Sequence, residues 1–195
     1  MMTATFASKK IGVGFTAAIG LIPAVIKEIE VLVEQGATVI PIFSKMTVEL
    51  DQRGQWQENL RKITGQEPWT TIPQVEKIGP GKLLDLFLIA PCTGNTMAKL
   101  ANAITDGPVL MAAKATLRNS RPVVLGIASN DALGLNARNL GTLLAAKGIY
   151  FIPFGQDNPQ EKPNSLVFRP ELLRPTLEAA LTGRQYQPLL YVPSR

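Results

Sequence analysis

The stretch Lys10 to Phe43, KIGVGFTAAIGLIPAVIKEIEVLVEQGATVIPIF, contains two short apolar runs separated by a segment with helical periodicity. The runs at 10–15 and 37–43 have the length and composition of buried strands. Between them, apolar residues recur at helical spacing, Pro23 lies in the first turn, and Gly36 closes the end. We therefore predict a strand-helix-strand unit, the building block of a parallel sheet.

The same alternation continues along the chain. Further strands are predicted at 84–90, 122–128 and 149–154, and further helices at 96–102, 109–119, 136–147 and 170–181. Residues 91–95 are expected to form a turn and 155–170 a long loop, while 44–82 contains a helix near Trp56 within a proline-rich, irregular connection. The predicted fold class is α/β, a single Rossmann-like (flavodoxin-like) open parallel sheet with helices on both faces.

The length and composition indicate one domain. With 195 residues and 46% hydrophobic residues, the chain can bury a core on both faces of a sheet. We assign residues 1–182 to this domain and 183–195 to a C-terminal tail, whose tyrosines and prolines indicate that it packs against its own domain or another surface. The apolar stretch at 11–26 is interrupted by glycines and Pro23 and is too short for a membrane span, so no membrane association is expected.

Charge and residue usage exclude several function classes. The net charge is +5, but the lysines and arginines are scattered, which disfavours nucleic-acid binding and suits an anionic substrate or a phosphate-bearing cofactor. A single cysteine, Cys92, favours a reducing cytoplasmic setting. The chain has no histidine, so any proton transfer must use a carboxylate, lysine, tyrosine, water or the substrate, and no metal site is expected.

Candidate ligand-binding residues follow the predicted strands, because ligands bind beyond the carboxyl ends of parallel strands. Gly14, Phe15 and Thr16 offer backbone amides and a hydroxyl for a phosphate, although a tight turn without a ligand would look similar. Ser44 and Thr47 either donate to the same phosphate or cap a helix.

The segment PCTGNTMAKLANAITDG at 91–107 is the most distinctive in the chain. It resembles the PASANT-type segment of flavin-dependent cysteine decarboxylases and the corresponding segment of flavin prenyltransferases, in which it binds flavin at a subunit interface. Ile127-Ala128-Ser129-Asn130 stands where the decarboxylases have PAMN. The resemblance covers residues 10–155 and implies an FMN site that includes Pro91, Cys92, Thr93, Asn95, Thr96, Ala128, Ser129 and Asn130. Cys92 is either a nucleophile or a small residue filling a tight turn.

This sequence departs from both groups where their chemistry takes place. The decarboxylases use an active-site histidine, and the chain has none. The prenyltransferases use an Arg-Glu pair where Ala128 and Ser129 stand here. Both activities are therefore disfavoured, while the small-residue loops that would hold a cofactor are retained.

Within the superfamily, four long segments resemble the B-subunit family of dipicolinate synthases: 14–23, 90–119, 126–139 and 149–159. That resemblance implies a dehydrogenase-like partner, the A subunit, which carries NAD(P), and a small dicarboxylate, a dihydrodipicolinate precursor that is oxidised to dipicolinate. It also implies a homo-oligomer in the cytoplasm of the mother cell of a sporulating bacterium.

Candidate partners for an anion are Thr16, Ser44, Asn95, Asn130 and Lys99 or Lys114, and Lys114 shares a helix face with Arg118. No catalytic residue is assigned. Three functions remain open: an enzyme subunit that acts with its partner, a non-catalytic binding subunit that has lost flavin, and a stand-alone FMN enzyme of the decarboxylase and prenyltransferase superfamily.

Overall fold

Seven strands form one mixed sheet in the computed structural model, which describes residues 6–191. The strands are β1 Lys10–Phe15, β2 Thr38–Phe43, β3 Leu86–Thr93, β4 Val123–Ser129, β5 Ile149–Phe151, β6 Phe154–Gly155 and β7 Leu166–Phe168. The helices are α1 Ile22–Glu34, α2 Lys45–Leu50, α3 Gln55–Thr64, α4 Ile72–Glu76, α5 Ile78–Gly81, α6 Gly94–Ala101, α7 Pro108–Arg118, α8 Ala137–Leu144 and α9 Leu173–Leu181.

The strand order places β1 and β3 at the centre of a parallel arrangement. The order is β2-β1-β3-β4, with β5 pairing in parallel with β4. The chain runs outward from β1 to β2 and then crosses back to β3, so the connections leave β1 and β3 in opposite directions. This is the flavodoxin-like arrangement, and it confirms the predicted fold class.

Helices cover both faces of the sheet. Helices α1 and α9 contact each other and pack on strands of one face, whereas α6 and α7 contact each other and pack on strands of the opposite face. Gly36, which follows α1, has a φ of 88°, the left-handed conformation that commonly ends a helix. Within residues 6–191, no helix is both long enough and apolar enough to cross a bilayer.

The turn predicted at 91–95 is wrong. Strand β3 continues through Pro91 and Cys92 to Thr93, and α6 begins directly at Gly94. The register between β3 and β4 shifts between Ile89 and Cys92. Because such an irregularity accommodates a residue that lacks a backbone N–H, proline is compatible with a central strand at this place.

The prediction of a long loop at 155–170 is wrong in its last part, which contains a strand. The single strand predicted at 149–154 is two short strands, β5 and β6. Strand β7, within the predicted loop, runs antiparallel to both β4 and β6. It lies beside the carboxyl end of β4, where Ala128 pairs with Val167. This edge makes the sheet mixed rather than wholly parallel.

The connection at 44–82 is more helical than predicted. Helix α3 appears at the predicted place, but Pro73 and Pro80 lie inside the short helices α4 and α5 rather than in irregular chain. Pro73 lies in the first turn of α4, where its missing N–H costs no intrahelical hydrogen bond.

The C-terminal segment packs against the edge of its own sheet. The Gln185 side chain bonds both backbone groups of Phe151, and Leu190 forms a parallel bridge with Phe154. These contacts agree with a tail that packs on its own domain. The boundary at residue 182 stays a prediction, and residues 192–195 of the tail, like residues 1–5 of the domain, lie outside the described residues.

Candidate functional site

A cleft of about 620 Å³ lies beyond the carboxyl ends of β1, β2 and β3. It is lined by residues that follow these strands and by the start of α7: Thr16, Ala17, Ser44, Lys45, Met46, Glu49, Thr93, Asn95, Thr96, Lys99, Asp106, Gly107, Pro108, Val109 and Leu110. Its volume is in the range of small-molecule and cofactor sites. The point where the connections from β1 and β3 diverge is where open α/β sheets bind their ligands.

A second cleft, of about 810 Å³, lies at the opposite end of the sheet. Its lining includes Lys9, Asp85 and Arg121, which flank the amino ends of β1, β3 and β4. Although this second cleft is larger, the topology favours the cleft at the carboxyl ends as the ligand site.

Thr16 uses its hydroxyl to join β1 to β3. The side chain is 2% exposed, its Oγ1 donates to the Pro91 carbonyl oxygen at 2.7 Å, and it accepts from the Thr93 N–H at 3.0 Å. Its proton is therefore committed within the protein. Thr16 shapes the wall of the cleft rather than offering a free donor to it.

Ser44 and Thr47 form a second internal chain of hydrogen bonds. Thr47 Oγ1 donates to the Phe15 carbonyl at 3.0 Å and lies 2.8 Å from Ser44 Oγ. Ser44 Oγ also accepts from the Thr47 N–H at 3.2 Å, as the N-cap of α2. Of the two interpretations of these residues, helix capping is the one that the hydrogen bonds support.

Every hydroxyl that lines the cleft has a partner within the protein. Besides those of Thr16 and Ser44, the hydroxyls of Thr93 and Thr96 lie 3.1 Å apart and bond each other. Because a single hydrogen bond between two hydroxyls uses one of their two protons, the donors left to meet a ligand are one of these hydroxyls, amides and charged side chains. Asn95 is exposed in the cleft, and its carboxamide forms no hydrogen bond with another described residue.

Two helices begin at the cleft without a side-chain cap. Helix α6 follows Thr93 directly, and α7 follows Gly107; neither N-cap residue provides a side-chain hydrogen bond. The first N–H groups of a helix have no intrahelical acceptor, and they carry the positive end of the helix dipole. Such groups bind phosphate or carboxylate well.

The charged side chains that line the cleft are paired. Lys99 Nζ lies 2.6 Å from Asp106 Oδ2, and Lys45 Nζ lies 4.0 Å from Glu49 Oε1. The second pair is long and well exposed, so it holds Lys45 only weakly. Lys45, Met46, Glu49 and Asp106 were not among the predicted binding residues. Asp106 lies within the distinctive segment 91–107, which could have indicated it, whereas no local sequence signal marks the other three, which reach the cleft because α2 follows β2.

The predicted site residues separate into three groups. Thr16, Ser44, Thr93, Asn95 and Thr96 line the cleft. Five residues are buried behind it, in β1, α2 or β3: Gly14, Phe15, Thr47, Pro91 and Cys92. The third group, Ala128, Ser129 and Asn130, lies at the end of β4 beside the cleft and outside its lining.

The end of β4 contacts the start of α6. A Cβ atom at Gly94 would lie 2.6 Å from Ser129 Oγ and 3.0 Å from Asn136 Nδ2, so a larger residue there would force these side chains to move. Asp131 accepts from the side chain of Asn136 at 3.0 Å and holds the loop in place. Ser129 and its loop therefore support the wall of the cleft from behind.

Cys92 is enclosed in the core. Its side chain is fully buried, and burial raises the pKa of the thiol to about 12, because a thiolate would lose its hydration. A buried, protonated thiol is a poor nucleophile. Of the two interpretations of Cys92, the small residue packed inside the protein is the one that its burial supports, although it fills a strand rather than a turn.

Lys114 and Arg118 do not reach the cleft. The Arg118 guanidinium packs over Gly79 in α5, and Lys114 is an exposed residue that is not part of the lining. They lie in the middle and last turn of α7, whereas the first turn of that helix borders the cleft.

Comparison with known proteins is consistent with this geometry. The model of the family described as Flavoprotein matches residues 3–165. The chain belongs to the Flavoprotein family. A relative in this family, the dipicolinate synthase B subunit of Bacillus subtilis (strain 168), is 50% identical over 186 residues, covering 93% of each chain.

Solved structures of Flavoprotein-like chains agree with the fold. The crystal structure of the dipicolinate synthase B subunit from Bacillus halodurans C has a TM-score of 0.90 and 49% identity, covering 96% of this chain and 98% of that chain. The FMN-dependent cysteine decarboxylase SpaF has a TM-score of 0.66 and 17% identity, covering 92% and 98%. The second likeness concerns the fold alone.

Proposed function

We propose that this chain is the B subunit of a dipicolinate synthase, binds FMN in the cleft at the carboxyl ends of β1, β2 and β3, and acts together with an A subunit. The observation that carries the proposal is the 50% identity to the Bacillus subtilis protein, which extends over 93% of both chains. In this proposal, the A subunit is dehydrogenase-like and binds NAD(P), and the pair oxidises a dihydrodipicolinate precursor in a sporulating cell.

The chemistry of the lining supports a flavin phosphate. The uncapped first turns of α6 and α7 provide backbone N–H groups, and Asn95, in the first turn of α6, adds its carboxamide. The hydroxyls of Thr16 and Ser44 are already bonded, so their contribution is structural: Thr16 holds β1 to β3, the strand before α6, and Ser44 caps α2. Met46, Val109 and Leu110 add apolar surface for a ring system.

A bound flavin would supply the ability to accept a hydride, which the side chains of this protein lack. The residues of the chain would position the ligands and interact with their charged groups. Glu49 and Asp106 are the carboxylates of the lining, and Lys45 and Lys99 are its ammonium groups. Because the chain has no histidine, a proton released in this cleft must pass to one of these groups, to water or to the partner subunit.

Purified full-length chain should bind added FMN with a measurable change in flavin fluorescence. Asn95→Ala should weaken FMN binding about ten-fold or more, because a hydrogen bond to a charged group is worth about 1.5–3 kcal/mol. Asn158→Ala, in a surface turn outside the cleft, is the matched control and should bind as the wild type does. A wild-type chain with no affinity for FMN would contradict the cofactor assignment.

The partnership requires a separate experiment. Co-expression with an A subunit from a spore-forming bacterium should yield dipicolinate, and neither chain alone should do so efficiently. Size measurements on the purified chain would test the homo-oligomer that the family resemblance implies. Dipicolinate formation at the same rate by the partner dehydrogenase on its own would contradict the proposed role.

A non-catalytic binding subunit is the second candidate. The internally bonded hydroxyls of Thr16 and Ser44 and the lack of histidine favour it, since both limit the chemistry that this chain can perform. In that case, replacing Asn95 and Asn130 would leave the joint activity of the two subunits unchanged. A proportional loss of FMN binding and joint activity in Asn95→Ala would exclude this candidate.

A further inference from the structure

The ion pair between Lys99 and Asp106 connects two helix ends across the wall of the cleft. Lys99 lies in the last turn of α6, and Asp106 precedes Gly107, the N-cap of α7. Their charged atoms are 2.6 Å apart. Each charge lies at the helix end that favours it, a cation near a C-terminus and an anion near an N-terminus. The pair is therefore stabilised by its surroundings as well as by its own attraction.

This pair removes the positive charge that the cleft would otherwise present. Both side chains line the cleft, with 31% of Lys99 and 52% of Asp106 exposed. The remaining charged lining residues, Lys45 and Glu49, also cancel. The chain carries a net charge of +5, yet the side chains of this cleft sum to zero. An anion entering the cleft meets helix N-termini and amides but no uncompensated ammonium group of the α6 wall.

We propose that Asp106 is a specificity-determining residue that restrains the affinity of the cleft for anions by neutralising Lys99. A small free anion then binds weakly, because charge alone does not hold it. A ligand that combines an anionic group with an apolar ring gains additional contacts with Met46, Val109 and Leu110. This inference rests on the proposed function, in which the cleft binds such a ligand.

The test compares four full-length proteins: wild type, Asp106→Asn, Lys99→Met and the double variant. The probe is inorganic phosphate, titrated at low ionic strength, where exposed charges are least screened. Asp106→Asn frees the Lys99 ammonium and should tighten phosphate binding about five-fold, and Lys99→Met leaves an unpaired carboxylate and should weaken it about five-fold. The double variant should return to within about two-fold of the wild type.

The opposite changes in phosphate affinity expected for Asp106→Asn and Lys99→Met distinguish this electrostatic role from a structural one. If the pair only fastens the connection between α6 and α7, each single variant loses the same bond and both should change phosphate binding in the same direction. Asp157→Asn and Lys162→Met make the same charge changes at an ion pair outside the cleft and should leave phosphate binding unchanged. Equal binding by all four proteins, or changes of the same sign, would overturn the proposal.

A parallel titration with FMN and riboflavin separates this proposal from the proposed function. Riboflavin lacks the phosphate, so its affinity should not follow the charge of Lys99 and Asp106, whereas that of FMN should. If no protein of the series binds either flavin, the cofactor assignment fails. The phosphate titration still decides whether Asp106 restrains anion binding.

Discussion

Replacing Thr16 with valine removes one buried hydroxyl while nearly preserving the shape of the side chain. That hydroxyl donates to the Pro91 carbonyl and accepts from the Thr93 N–H, at 2.7 and 3.0 Å. Because Thr16 is 2% exposed, water does not readily replace it. Losing a hydrogen bond at a buried group costs roughly 1–1.5 kcal/mol, so two such groups lower the free energy of unfolding by about 2–3 kcal/mol.

Urea unfolding followed by tryptophan fluorescence measures this loss. Thr16→Ser is the control, because it keeps the hydroxyl and loses only a methyl group, and it should lose about 1 kcal/mol. FMN affinity should fall only modestly in Thr16→Val, through movement of β1 against β3. An unchanged unfolding midpoint combined with complete loss of FMN binding would refute the reasoning, since it would mean that the hydroxyl serves the ligand rather than the strands.

Two further predictions concern the sheet edge and the buried thiol. An added Cβ at Gly155 would overlap the carbonyl oxygen of Tyr191. In Gly155→Ala, proteases should therefore cleave the C-terminal segment faster than in the wild type. Gly141→Ala is the control, because its added Cβ meets open space, and it should be cleaved at the wild-type rate. Burial raises the pKa of Cys92 to about 12 in the folded protein. Above about pH 9, the thiol therefore ionises in the unfolded chain but stays protonated in the folded one. The free energy of unfolding then falls by up to about 1.4 kcal/mol per pH unit. Cys92→Ala should lack that part of the pH dependence, and identical pH profiles for the two proteins would contradict it.

Strands buried on both faces were predictable from composition alone. Strand β1 has the predicted bounds, and the predicted bounds of β2 and β4 differ from those in the structure by one residue at one or both ends. A strand covered by helices on both faces must be apolar at successive positions, and that requirement is visible in a single sequence. The same reasoning located α1 between its proline and glycine signals.

Elements that depend on a distant partner were not predictable in this way. Strand β7 spans three residues between polar segments and forms because it pairs with β4 and β6. The extension of β3 through Pro91 was not predicted, because proline usually ends a strand. The register shift between β3 and β4 accommodates this proline. In both cases, the stabilising contacts are remote in sequence.

The sequence by itself determined the α/β class, the parallel core of the sheet and the loops at the carboxyl ends of its strands, because hydrophobic periodicity and helix signals are local properties of the chain. Only the tertiary structure decided what the side chains of those loops do. Thr16 is next to Pro91 because β1 pairs with β3, and Lys99 is next to Asp106 because the short connection between α6 and α7 turns back on itself. Hydrogen bonds and ion pairs act over a few ångströms. Whether a hydroxyl or a charge faces a ligand or another residue is therefore settled by the neighbours that folding supplies.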